Sequence, residues 1–159
     1  MSQGLRTVVV IPARWGSTRF PGKPLAPVAG VSMVQRVWAL ARAAEGVDSV
    51  CIATDDARIA EAGNGTERAH AAAQAMDSPP DVIINLQGDA VLTPPWVISA
   101  IAGAFADPEV RIATPAVALS DAQLATLEAH KKDSPASGTT VVLDNRSNAL
   151  YFSKAIIPF

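Results

Sequence analysis

Short apolar runs alternate with amphipathic segments along the chain, and this alternation is typical of an α/β protein. Three runs rich in apolar and β-branched residues predict buried strands at Thr7–Ile11, Ser49–Thr54 and Val82–Leu86. Apolar spacing, capping residues and prolines predict helices at Val31–Ala44, Asp56–Ala62, Thr66–Met76, Pro94–Phe105 and after Ser120. Two further strands are predicted at Thr139–Leu143 and Ala149–Phe152. Because the first three strands are apolar throughout, the fold class is α/β, with a three-layer doubly wound, mostly parallel sheet.

The composition restricts the location and the partners of the protein. A chain of 159 residues predicts one domain, and 49% hydrophobic residues suffice for a core. The net charge of −2 argues against a general nucleic-acid binder, and no apolar run approaches the roughly 20 residues of a membrane span. Cys51 has no disulfide partner, and with His70 and His130 far apart no standard zinc site can form. We therefore expect a cytoplasmic protein that binds neither nucleic acid nor a membrane.

A basic loop directly follows the first predicted strand. The segment "IPARWGSTRFPGKPL", residues 11–25, places Arg14, Arg19 and Lys23 among two glycines and three prolines. Ligands bind beyond the carboxyl ends of the strands in open α/β sheets, so three cations at this place favour a polyanion such as a triphosphate. The alternative is a solvated turn with ordinary surface cations. The loop is not a Walker A motif, because five residues separate its glycines and a proline follows Lys23.

Five motifs in order carry a resemblance to a known family. They are "IPARWGSTRFPGKPL", "IATDD" at 52–56, "NGTERAH" at 64–70, "INLQGD" at 84–89 and "ALYFSKAIIP" at 149–158. Together they resemble the sugar nucleotidyltransferases and, more narrowly, the 3-deoxy-manno-octulosonate (Kdo) cytidylyltransferases, or CMP-Kdo synthetases. The resemblance covers nearly the whole chain. It implies the nucleotide-diphospho-sugar transferase fold, which is Rossmann-like, as a single nucleotidyltransferase domain over residues 1–159.

The resemblance also implies a reaction and a role for each matched residue. The family joins CTP to the acidic sugar Kdo, giving CMP-Kdo and pyrophosphate for lipopolysaccharide biosynthesis, with Mg²⁺ as cofactor and a homodimer as assembly. The catalytic residues would be Arg14 and Lys23, which hold the triphosphate, and Asp89, which binds Mg²⁺. The nucleotide would be bound by Pro12, Ala13, Arg14, Ser17, Lys23, Gly65, Thr66, Arg68 and Gln87. The acidic sugar would face Arg19 and Lys154.

Three departures from the family pattern keep alternatives open. Ala90-Val91 follows "QGD" where the family has Glu-Pro, Thr139-Thr140 lacks the usual strand lysine, and Lys154 replaces an arginine. The arginine-to-lysine change removes a bidentate grip on a carboxylate. The alternative functions are an acylneuraminate cytidylyltransferase and a non-catalytic CTP-binding module. An alternative interpretation of Asp89 is an ordinary turn residue.

The resemblance further implies that parts of the family's chain are missing here. Family members continue beyond Phe159 and have another strand and loop between the motifs that meet at Ala62 and Gly63. A helix that leaves the second strand runs back toward the amino end of the sheet, yet Gly63 begins a motif expected at the carboxyl end. We therefore predict that Ala62 and Gly63 are not bonded neighbours in the complete protein.

Overall fold

A computed structural model describes residues 4–13, 22–54 and 65–157, apart from the side chains of residues 65, 66 and 68. The chain divides into a first unit, Met1–Thr114, and a second unit, Pro115–Phe159. The strands are β1 (Thr7–Pro12), β2 (Pro27–Val28), β3 (Val31–Ser32), β4 (Ser49–Ala53), β5 (Val82–Asn85), β6 (Thr140–Leu143) and β7 (Ala149–Ser153). The helices are α1 (Met33–Arg42), α2 (Gly65–Gln74), α3 (Pro95–Ala104) and α4 (Asp121–Asp133), with a 3-10 turn at Lys23–Leu25.

The sheet of the first unit is parallel and has β1 at its centre. Its order is β4-β1-β5, with Val10 opposite Cys51 on one side and Asn85 on the other. The three predicted core strands are therefore confirmed as neighbours in one parallel sheet. Because parallel strands point the same way, the segments that follow β1, β4 and β5 all leave from one edge of the sheet.

Helices cover both faces of this sheet, which explains why β1 is apolar at every position from Val8 to Ile11. Val9 and Ile11 point to one face and pack in a cluster with α1 and with Ile98 of α3. Val8 and Val10 point to the other face and pack in a cluster with alanines of α2. Successive side chains of a strand alternate between faces, so a strand covered on both sides needs apolar residues throughout. The doubly wound α/β class is confirmed.

The start of α1 differs from the sequence prediction, and the start of α4 agrees with it. Helix α1 begins at Met33 rather than Val31, because Val31–Ser32 pairs with Pro27–Val28 in a small antiparallel hairpin. Helix α4 begins after Ser120 as predicted. The Ser120 hydroxyl accepts the backbone N–H of Gln123 at 3.4 Å, and the Gln123 side chain accepts the Ser120 N–H at 2.9 Å. This reciprocal pair is a capping box.

The second unit contains α4 and an antiparallel hairpin. Strands β6 and β7 pair with Thr140 opposite Ser153, so the two predicted strands are confirmed, as an antiparallel pair separate from the three-stranded sheet. The turn between them is organised by Asp144, whose carboxylate accepts the backbone N–H groups of Arg146 and Asn148 at 2.8 Å each. That the whole chain is one nucleotidyltransferase domain stays a prediction, and the helix predicted at Asp56–Ala62 lies outside the described residues.

None of the helices in the described ranges has both the length and the apolar character that crossing a membrane requires.

Candidate active site

Several residues predicted to bind the nucleotide lie at the carboxyl edge of the sheet, which is the side where the carboxyl ends of the parallel strands meet. Pro12 is the last residue of β1, and the buried Ala13 follows it. The Ala13 backbone N–H donates to the carbonyl oxygen of Ala53 at 2.7 Å, which extends the pairing of β1 with β4 by one residue. That N–H is therefore occupied, and Pro12 has none. If the backbone of Pro12 and Ala13 binds the nucleotide, as their predicted role suggests, it would do so through carbonyl oxygens.

A close contact at Gly88 brings the turn after β5 against the end of β1. A Cβ atom added to Gly88 would lie 3.0 Å from the carbonyl oxygen of Pro12 and 3.8 Å from Cγ2 of Ile11. A backbone oxygen cannot move aside as the tip of a flexible side chain can, so this position favours glycine. Sequence reasoning did not single out Gly88, although its place between Gln87 and Asp89 in "QGD" is the signal that was available.

Lys23 and Asp89 form an ion pair across this edge. The Lys23 Nζ lies 2.6 Å from Oδ2 of Asp89, although 66 positions separate the two residues in the chain. Lys23 begins the 3-10 turn after Gly22, whose φ of 72° is left-handed, and Asp89 lies in the turn closed by the Ala90 N–H on the Gln87 carbonyl at 3.0 Å. Both side chains remain accessible, with 41% and 53% exposed. The structure therefore brings together the cation predicted for the phosphates and the carboxylate predicted for the metal.

Gln87 lies beside this pair on the same turn and is exposed. Its side-chain amide donates to Oδ1 of Asn85 at 3.1 Å. The contact orients the Gln87 amide at the carboxyl end of β5, within the segment that carries Asp89.

The remaining predicted residues fall outside this part of the structure. Arg14, Ser17 and Arg19 lie outside the described residues, as do Ala62 and Gly63, so the prediction about their connection is untested. Gly65, Thr66 and Arg68 begin α2, and their side chains are not described. Lys154 belongs to the second unit, where its Nζ donates to the Thr139 hydroxyl at 2.8 Å.

Other titratable side chains do not extend the site. His70 on α2 and His130 on α4 are exposed helix residues. Cys51 on β4 packs beside the α2 side of the core, and burial raises the pKa of its thiol, which makes it less reactive as a nucleophile. Within the described ranges no group of three or more His, Cys, Asp or Glu side chains could hold a metal ion. Of the carboxylates that the structure describes at this edge, Asp89 is the one predicted to hold a metal ion.

Comparison with known proteins identifies the family. A family model described as cytidylyltransferase matches residues 8–159. The chain belongs to the cytidylyltransferase family.

Relatives within the family share one name. This cytidylyltransferase is 49% identical to a 3-deoxy-manno-octulosonate cytidylyltransferase of Maricaulis maris (strain MCS10), over 98% of this chain and 66% of the relative. It is 42% identical to the protein of that name from Nitratidesulfovibrio vulgaris (strain Hildenborough), over 94% of this chain and 62% of the relative. A solved structure, CMP:2-keto-3-deoxy-manno-octonic acid synthetase complexed with CTP, superposes with a TM-score of 0.80 at 35% identity. That match covers 97% of this chain and 66% of the other.

The cytidylyltransferase chain spans somewhat less than two thirds of the length of these relatives. The alignment with the Maricaulis maris relative extends over 171 positions, whereas this chain has 159 residues, so at least 12 positions of the relative have no counterpart here. A difference of this kind is what the predicted break between Ala62 and Gly63 requires. These lengths do not say where in the alignment the additional positions of the relative lie, so the break between Ala62 and Gly63 stays a prediction.

Proposed function

We propose that this cytidylyltransferase transfers the CMP group of CTP to 3-deoxy-manno-octulosonate, giving CMP-Kdo and pyrophosphate. The observation that carries the proposal is the meeting of Lys23 and Asp89 at the carboxyl edge of β1 and β5. A cation and a carboxylate that are both accessible at this edge suit a triphosphate and its accompanying metal ion. The names of the relatives and the CTP complex of the structural neighbour support the choice of nucleotide and sugar.

In this proposal Lys23 binds the triphosphate and stabilises charge on the leaving group. A hydroxyl oxygen of the sugar forms a bond to the α-phosphorus of CTP, and the bond from that phosphorus to the bridging oxygen breaks. Pyrophosphate leaves with the electron pair, and the hydroxyl proton passes to solvent. Such a transfer depends on positioning and charge neutralisation rather than on a covalent intermediate. The backbone of Lys23 belongs to a short turn, so its ammonium supplies positive charge near this edge of the sheet.

We propose Asp89 as the residue that holds Mg²⁺. A carboxylate with about half of its surface accessible fits a Mg²⁺ shell completed by phosphate oxygens and water. When bound, Mg²⁺ would neutralise phosphate charge. Asp89 would then exchange its Lys23 partner for the metal, and the freed Lys23 ammonium would turn to the phosphates.

Lys154 is the proposed cation for the sugar carboxylate. Its ammonium is exposed and is oriented by the neutral Thr139 hydroxyl, and none of the described carboxylates forms an ion pair with it. The predicted roles of Arg14, Ser17, Arg19, Gly65, Thr66 and Arg68 stay predictions from the resemblance. The homodimer, the cytoplasmic location and the part in lipopolysaccharide biosynthesis stay predictions of the same kind.

Pyrophosphate release by the purified protein tests the proposal. CTP, Mg²⁺ and the sugar are each omitted in turn, and Kdo is compared with N-acetylneuraminate. We expect release only when all three are present, and faster release with Kdo. Faster release with N-acetylneuraminate would indicate an acylneuraminate cytidylyltransferase. A CTP-dependent rise in melting temperature without release of pyrophosphate would indicate a non-catalytic binding module.

A further inference from the structure

Lys131, in the last turn of α4, makes contacts that join the helix to the end of the hairpin. Its side chain is partly buried, and its ammonium donates to the backbone carbonyl oxygens of Ser137 and Lys154. Both acceptors are neutral. Within the part of the chain that the structure describes, Lys131 makes no ion pair with a carboxylate. Among these residues its ammonium is therefore held by neutral carbonyl groups alone.

The same short loop also contacts Lys154, another lysine of this unit. Thr139, two residues after Ser137, accepts the Lys154 ammonium at 2.8 Å, while the Lys154 carbonyl accepts Lys131. Lys154 is thus fixed at both ends, its backbone by Lys131 and its ammonium by Thr139. Gly138 lies between the two acceptors, and a Cβ added there would lie 4.0 Å from the Lys131 Nζ. The loop at residues 137–139 therefore passes close to the Lys131 ammonium.

Among the described residues, Lys131 and Lys154 both contact neutral partners on the loop at residues 137–139, so an anion can bind to either ammonium. A partly buried ammonium is also screened less by water and salt than an exposed one.

We infer that Lys131 contributes to specificity for an acidic sugar as a positioning residue, because it holds the backbone of Lys154. The inference rests on the proposed function, since that function makes Lys154 the cation for the sugar carboxylate. Fixing Lys154 before the sugar binds lowers the entropy lost on binding. The contribution of Lys131 is therefore to affinity for the sugar carboxylate and not to binding of CTP.

Equilibrium binding by calorimetry tests this inference separately from turnover. Lys131→Met retains the apolar length of the side chain but loses the charge and both hydrogen bonds. We expect the Kd for Kdo to rise about tenfold and the Kd for CTP to change less than about twofold. Lys131→Arg should restore most of the affinity for Kdo. Lys132→Met is the control, because Lys132 is the exposed next residue of α4 and has no hydrogen-bond partner among the described residues.

Binding and turnover, measured together, separate the inference from the proposed function. Equal Kd values for Kdo in the wild type and Lys131→Met would overturn the inference, as would equal weakening of Kdo and CTP or failure of Lys131→Arg to restore affinity. If the wild type binds Kdo but releases no pyrophosphate, the proposed function fails while the binding comparison still decides the role of Lys131. If the wild type binds no Kdo, both fail. Fitting the fraction of binding-competent protein together with Kd keeps the comparison valid when a variant is partly unfolded.

Discussion

Replacement of Asp89 by asparagine should abolish Mg²⁺-dependent turnover while leaving the fold nearly unchanged. Asparagine retains the shape of the side chain and can still accept a hydrogen bond from the Lys23 ammonium, but it carries no charge. In the free protein the change therefore removes only the ionic part of the contact with Lys23. In the proposed complex with Mg²⁺ and CTP it removes the charged ligand of the metal.

The magnitudes of these two effects differ widely. Unit charges 2.6 Å apart in bulk water attract by about 1.6 kcal/mol by Coulomb's law. Holding two accessible side chains in one geometry costs entropy, so exposed pairs contribute only about 0.2–1 kcal/mol to stability. Turnover should fall by about a hundredfold or more, which corresponds to about 2.7 kcal/mol of transition-state stabilisation. Asp89→Asn should thus cost several times more free energy in catalysis than in folding.

Urea unfolding and pyrophosphate release, measured on the same samples, test this difference. A double-mutant cycle with Lys23→Ala should give a stability coupling below about 1 kcal/mol that shrinks at high salt, because exposed charges are screened. Turnover in Asp89→Asn that equals the wild type and keeps its Mg²⁺ dependence would refute the metal role and leave Asp89 as a turn residue. A loss of more than about 2 kcal/mol in unfolding free energy would show instead that the pair has a structural function.

Two further predictions concern turns and loops elsewhere in the chain. Gly138→Ala should lower the unfolding free energy by at least about 1–2 kcal/mol, because φ is 61° and the new Cβ would lie 3.1 Å from Cδ1 of Leu127. Gly30→Ala, at φ 79° with no atom within 4 Å, is the control for backbone strain alone, and a larger loss there would contradict the contact argument. The side-chain amide of Asn148 lowers the pKa of Asp144, so this carboxylate stabilises the fold above its unfolded pKa of about 4, and the stabilisation is lost as pH falls through the folded pKa. Asn148→Ala should raise the Asp144 pKa in an NMR titration, and an unaltered titration curve would count against this cause.

The core strands could be predicted because burial on both faces leaves a direct signal in the sequence. A strand such as Thr7–Pro12, covered by α1 and α3 on one side and α2 on the other, cannot alternate with polar residues. The start of α1 was less predictable, since Val31 fits the helical spacing but pairs with Val28 in a hairpin instead. Local periodicity does not record such a competition between a short strand pair and the first turn of a helix.

The pairing of Lys23 with Asp89 follows from strand order, which periodicity alone does not give. Because β5 lies directly beside β1 and parallel to it, the loop after one strand and the turn after the other leave the sheet about 4.8 Å apart. Gly88 then lets the turn approach the Pro12 carbonyl, and a lysine side chain readily spans what remains. If β4 stood between them, the separation of the strands would double. The resemblance supplied both residues, but only the topology explains their contact.

Lys131 illustrates the limit of sequence reasoning in this chain. Its acceptors are two backbone carbonyls, and every residue has a carbonyl, so no residue type in the sequence marks the contact. Its neighbour Lys132 has the same side chain one position later on α4 and faces solvent. Only the way in which the loop before β6 and the end of β7 meet α4 distinguishes the two lysines. A charged side chain acquires its role here from the backbone around it, which is why comparing the matched variants at 131 and 132 tests structure rather than composition.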